Sequence, residues 1–442
     1  MGSHPVGPRL VIGLASLALL GGCSPEPAPS PKTSIALTVE TASPSAATSP
    51  SASISPSPAP SPSASPSSSP SVSPSPAPTE EPPSSPRAHL TTEPQWQRVA
   101  RQKAFARSGM DAVVAGPDRY VAVGRGGPGT ENGVAWVSTD GATWHRASGS
   151  PSGGAPTGLI YDKLGFVAWG ASSESETAWI SPDGESWQRA TDFPGLGEQS
   201  INGIARLGDN LVAVSDDLRM WTSPDGLAWQ PVDNVTTTSR VTYLYGVTGA
   251  PGALVGWASV RTKNDVLRPV TLRTTDGQHW IVGGSGLKVD RFLVEGIADI
   301  VAVGDRLVAV GHGLQGEAGS RPPSSAAWTS TDGLTWKPAR FRSGPTRGSL
   351  GSLSWRDGEY VALGSPGVGS IVWRSTNGRV WVQSESVPDS VSDGEAVGCT
   401  GGRCPHTVAV DLAVGPVGPV AVGTTDVGSG PSRAVVWLAS TS

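Results

Sequence analysis

Six copies of one heptapeptide, Ser/Thr–x–Asp/Asn–Gly–x–x–Trp, cut the chain into units of similar length. They begin at Ser138, Ser181, Ser223, Thr274, Ser330 and Ser375 and close on Trp144, Trp187, Trp229, Trp280, Trp336 and Trp381. Successive copies stand 42–56 residues apart. A unit of that size, made of short apolar runs and tight turns, cannot bury its own apolar residues. Such units must stack on one another around a shared core.

Another Trp usually stands eight residues before the motif Trp: Trp136, Trp179, Trp221, Trp328 and Trp373, with Leu272 the exception. The motif Asp or Asn lies midway, so the spacing predicts a hairpin with a three-residue loop such as Thr139–Asp140–Gly141. In that register the two Trp face each other across the strands, a cross-strand aromatic pair. Asp suits the turn because its carboxylate accepts nearby backbone N–H groups, and Gly because it takes a positive φ. The turn pairs are Asp140 and Gly141, Asp183 and Gly184, Asp225 and Gly226, Asp276 and Gly277, Asp332 and Gly333, Asn377 and Gly378.

Upstream of each hairpin lies an apolar strand (Tyr120–Gly124, Phe166–Gly170, Leu211–Ser215 and their equivalents), preceded by a short turn and a first strand. Four strands joined as a meander make one blade of a β-propeller. Six units span about residues 108–386, and a seventh begins near Thr407 and supplies three strands ending in Trp437. Its missing outer strand reads at the other end, where Pro94–Arg98 matches Thr143–Arg146. The fold class is therefore all-β: a seven-bladed propeller of four-stranded antiparallel blades, closed by an N-terminal strand that completes the last blade. Closure removes open sheet edges, and the chain is expected to be a monomer. All 16 Trp lie between Trp96 and Trp437, and Trp169, Trp257 and Trp355 read as additional core.

The domain organisation expected is 1–23 export signal, 24–89 tether and 90–442 propeller. Arg9, the apolar run Leu10–Leu20 and Leu20–Gly21–Gly22–Cys23 resemble the export signal of bacterial lipoproteins, which implies acylation of Cys23 and anchoring to the outer face of the membrane. The alternative is an ordinary secretory peptide. Ser24–Pro86 is almost entirely Ser, Pro, Ala and Thr and lacks the apolar residues that offset ordering entropy. Extended at about 3.1 Å per residue, it reaches up to roughly 200 Å. Cys399 and Cys404 form an even pair in an exported chain, which reads as a disulfide clipping one loop. A redox-active pair would favour closer spacing, and zinc would find only His406 nearby. Residues 87–442 keep 30 basic and 33 acidic side chains, which excludes the electrostatic footprint of a nucleic-acid binder.

The heptapeptide resembles the Asp-box, or BNR repeat, of sialidases and other secreted propellers, usually Ser–x–Asp–x–Gly–x–Thr–Trp. Here Gly follows the Asp directly. The resemblance implies a turn-stabilising role for all six copies. It would also bring a Tyr nucleophile and a clamp of three Arg, but the Phe/Tyr–Arg–Ile/Leu–Pro segment is missing and sialidases have six blades.

The loops between second and third strands share a face with the inter-blade segments, opposite the motif turns, where propellers bind ligands. Arg125, Glu174, Glu176, Asp217, Arg261, Arg268, Arg321 and Arg433 are its candidate ligand residues. No catalytic set, metal spacing or cofactor motif stands out. The function read is a binding or scaffolding module for an envelope protein or cell-wall glycan. One alternative is a sialidase-like or other glycan-acting enzyme, a glycoside hydrolase. Another is an assembly factor similar to the seven-bladed Asp-box proteins that help build photosynthetic complexes, which a basic patch at Arg98, Arg101, Lys103 and Arg107 would favour.

Overall fold

The computed structural model describes residues 95–126, 132–172, 175–288, 293–314, 324–342, 348–365, 369–388, 406–426 and 432–440. Strands fall into seven separate sheets in which first, second, third and outer strands pair in order. Blades one to six span 108–146, 154–189, 201–231, 243–283, 293–338 and 349–387. Blade seven takes His406–Gly415, Gly418–Asp426 and Arg433–Ser440 from the C-terminus and Gln95–Arg98 from the N-terminus. Trp96 pairs with Ala439 and Arg98 with Trp437. Since Arg146 opposes Trp136 in the first blade, Arg98 and Trp96 occupy the places of Arg146 and Trp144. The chain is a seven-bladed β-propeller.

Each blade is apolar on both faces because each is sandwiched between two others. Runs such as Val121–Ala122–Val123 send alternate side chains to opposite neighbours. Tyr120, Ala122 and Trp136 thus pack with Val420, Val422 and Val436 of the seventh blade, while Val121 and Val123 pack with Phe166 and Trp179 of the second.

The hairpin register differs from the sequence expectation by two residues. Trp136 faces Arg146 and Trp179 faces Arg189, so the loop is five residues long, Thr139 to Thr143, and the two Trp do not pair. The turn begins at the motif Ser, whose hydroxyl is part of it, and the midpoint argument ignored that residue. The two Trp have separate work. The motif Trp mostly donates its indole N–H to its own turn, as Trp144 does to Gly141 O at 2.8 Å. The third-strand Trp donates to the linker entering its blade: Trp136 to Ala104 O, Trp179 to Ser152 O, Trp221 to Pro194 O, Trp328 to Lys288 O and Trp437 to Pro388 O. Trp257 is buried, but Trp355 is 39% exposed and is no core residue. It stands next to last in a first strand, opposite Tyr360, beside the turn.

Linkers also seal the junctions between blades. One linker N–H donates to the carbonyl two residues before the next motif Trp: Gly149 to Glu185, Thr191 to Leu227, Thr236 to Gln278, Gly284 to Leu334 and Arg340 to Arg379. At the closure the same carbonyl, Ala142 O, is met by the side chain of Gln102 instead. Its Nε2 donates at 2.6 Å, and its Oε1 accepts Trp144 N–H at 2.8 Å.

Candidate binding face

The motif turns form one face of the ring together with the turns between first and second strands. Asp140 Oδ1 accepts the N–H groups of Ala142 and Thr143 and the Ser138 hydroxyl, while Ser138 Oγ accepts Gly141 N–H at 2.9 Å. The pattern recurs at Asp183, Asp225, Asp276, Asp332 and Asn377. Gly141, Gly184, Gly226, Gly277, Gly333 and Gly378 all have φ between 68° and 81°. The N–H groups of Leu227 and Ala228 hold the Asp225 carboxyl below the usual carboxylate range. These oxygens are committed to the backbone, and the buried Ser or Thr hydroxyl, whose part the sequence reading missed, completes the turn.

This face also carries a groove of about 690 Å³ between the third and fourth blades. Leu207, Val212, Asn210, Thr222 and Gln278 line it. It opens because the fourth motif turn stands clear of the third blade. A Cβ added at Gly277 would meet only Leu207, at 3.6 Å, whereas one at Gly184 would lie 2.4 Å from Val121.

On the opposite face, three of the candidate ligand residues are occupied within their own blades. Arg125 forks onto Asp111 through two bonds of 3.1 Å. Asp217 accepts from Arg219 at 2.8 Å and from the Ser215 hydroxyl at 2.6 Å. Arg261 meets Asp265 at 2.9 Å. Glu176, expected on a solvated loop, is 4% exposed and starts a third strand, where its carboxylate accepts Ile201 N–H of the next blade. Arg268 is exposed. Arg433 is exposed as well, and it alone of the set is brought to a cleft with Arg98 and Arg101. Glu174, Arg321, Cys23, Cys399 and Cys404 lie outside the described residues, as do the export signal and the tether.

Apolar side chains also stand free on this face. Tyr243, Val266 and Leu267 of the fourth blade are 45%, 51% and 41% exposed. Tyr243 lies in register with Ser259 and Pro269, and Leu267 follows two residues along the same side of the sheet. Val408 and Val410 on the first strand of the seventh blade are also exposed.

Two carboxylates that the sequence reading missed line the axis. Every first strand carries a β-bulge, and the residue after it faces its second strand at one equivalent place: Ala112, Gly158, Gly203, Gly246, Asp299, Ser352 and Asp411. Asp299 accepts Leu353 N–H of the next blade at 2.9 Å. Ser352 Oγ accepts Leu412 N–H and donates to Asp411 at 2.7 Å, and Asp411 accepts Val113 N–H at 2.8 Å. Burial, reinforced by the Asp411 charge, raises the Asp299 carboxyl to about 7, against the N–H bonds from Leu353 and Ile300. Burial raises Asp411 too. Their signal in the sequence is an Asp interrupting an apolar strand at equivalent places, Ile297–Ala298–Asp299–Ile300 and Ala409–Val410–Asp411–Leu412. Among the described residues no group of three His, Cys, Asp or Glu could hold a metal ion.

No family model matches the chain, and no curated protein does. Solved propellers are similar in chain path. A YCF48 bound to a D1 peptide is 13% identical, with a TM-score of 0.48 over 78% of this chain and 97% of that one. YCF48 from Cyanidioschyzon merolae is 13% identical, with a TM-score of 0.42 over 78% and 98%. Virginiamycin B lyase from Staphylococcus aureus is 11% identical, with a TM-score of 0.47 over 78% and 98%. At these identities no ligand or activity passes from them to this chain.

Proposed function

We propose that the chain is a binding module for an envelope protein, anchored by a lipid on Cys23 at the outer face of the membrane and carried on the tether of residues 24–89. The observation that supports this reading is the exposed set Tyr243, Val266 and Leu267 in the fourth blade, beside the paired charges Arg261 and Asp265. Exposed apolar side chains rimmed by polar ones mark protein contacts, and aromatic anchors supply much of the energy of such contacts. Two of the acids on this face, Asp217 and Glu176, already hold Arg219 and Ile201.

The test is a pull-down from envelope extract with residues 90–442 and with Leu267→Asp, alongside a glycan and wall-fragment screen. The expected result is a stoichiometric protein partner bound at least tenfold more weakly by Leu267→Asp, whose melting temperature is unchanged. Saturable sugar binding indifferent to Leu267→Asp would replace the reading with carbohydrate recognition.

A further inference from the structure

Several basic side chains of the propeller are met by carboxylates: Arg119 by Asp118, Arg125 by Asp111, Arg189 by Asp192, Arg206 by Asp162 and Arg374 by Glu359. The seam between the seventh and first blades gathers basic side chains with no acidic ones among them. Residues 95–110 carry Arg98, Arg101, Lys103 and Arg107 and no Asp or Glu. Arg98 comes from the closing strand, Arg101 from the linker after it and Arg433 from the C-terminal strand. The three meet around a cavity of about 80 Å³, whose wall includes Thr425, Phe105 and Val435. Among the described residues none of these three guanidinium groups has a carboxylate oxygen within 4.0 Å. Arg98 donates to the Thr425 hydroxyl at 3.3 Å, and Thr425 faces Arg433 across the strands.

Three like charges at one small cavity repel one another unless an anion sits among them. Guanidinium forks match the oxygens of phosphate, and several around one group hold it by paired charge-assisted bonds. The cavity is far below the roughly 300 Å³ at which small-molecule pockets begin, so it takes one group and not a whole ligand. The apolar floor from Phe105 and Val435 excludes water from below and strengthens those bonds.

We propose that this cleft binds a tetrahedral oxyanion, a phosphate or sulfate group, and that the bound anion clamps the N-terminal closing strand to the C-terminal blade. The clamp bridges residues more than 300 positions apart in the chain, so its occupancy stabilises the closed ring by mass action. It is separate from the fourth-blade patch and does not rest on the partner proposed there.

The experiment titrates the full chain with inorganic phosphate and with glycerol 3-phosphate, against sodium chloride at matched ionic strength. Heat of binding and melting temperature are read together. The expected result is saturable binding with a rise in melting temperature, weakened at least tenfold in Arg101→Gln/Arg433→Gln. Both side chains are exposed, so the unliganded variant folds and, relieved of like-charge repulsion, melts no lower than the parent. Tighter binding of glycerol 3-phosphate identifies an esterified phosphate as the natural group, and tighter binding of inorganic phosphate identifies the free anion. Absence of saturation overturns the proposal. So does an equal melting shift in the double variant, which marks general exclusion of the salt from the protein surface.

Discussion

The two halves of the central channel fill one equivalent place in the blade by opposite means. From the fifth blade round to the first, Asp299, Ser352 and Asp411 accept backbone N–H groups of the next first strand. In the second and fourth blades the equivalent residues are Gly158 and Gly246, each lying directly against Trp169 or Trp257 of its own second strand. A Cβ at either glycine would come within 2.2 Å of the indole. At this place one half makes directional bonds to the next blade, and the other is filled by volume within its own blade. The same place in the repeat thus takes a carboxylate where a neighbouring N–H needs an acceptor and a bare backbone where an indole needs room.

The packed half should break hardest. Gly246→Ala is expected to cost about 3 kcal/mol through overpacking. Gly351→Ala, where an added Cβ meets nothing within 4 Å, should leave the calorimetric melting point in place. Equal losses for the two would show that the indole–glycine contact is not what closes that half. Next comes the bonded half. Asp411→Ala leaves Val113 N–H and the Ser352 hydroxyl without their acceptor, a loss of about 2 kcal/mol in denaturant unfolding. A variant as stable as the parent would remove the staple from the account.

The smallest effect is the most specific. Burial pushes the Asp299 carboxyl up to about 7 in the folded chain, against about 4 when unfolded, so it binds its proton more tightly in the native state. Its contribution is full below pH 4 and is lost as pH rises through 7, with a slope of up to about 1.4 kcal/mol per pH unit. Stability curves from pH 4 to 8 should flatten in Asp299→Asn. An unchanged slope would assign the pH dependence to other groups.

The repeat made the blade count and the N-terminal closure legible, because Trp96 and Arg98 spell the same outer strand as Trp144 and Arg146. It misplaced the hairpin register, since Ser138 looks like an ordinary strand residue until its hydroxyl is seen bonded to Gly141 and Asp140. The candidate face was less legible for a different reason. A loop Arg is equally at home facing solvent or a carboxylate, and its neighbours decide which: Asp111 sits fourteen residues from Arg125 and still takes both of its bonds. Arg98 and Arg433 are harder again, for only ring closure places them together. Trp355 shows the limit of counting aromatics, because a strand end beside a turn has no second blade to cover it.

Gln102 carries a consequence for how such a ring can vary. At five junctions the linker bond is made by main-chain groups, which any residue except proline supplies, so almost no codon change erases it. At the closing junction the same carbonyl is met by one amide side chain, beside the Asp411–Val113 bond and the shared apolar packing. A single nucleotide substitution can therefore remove this linker bond at that point alone. The seam is where heredity can set how readily the circle opens, and it is the natural place to cut and rejoin the chain in a permuted propeller.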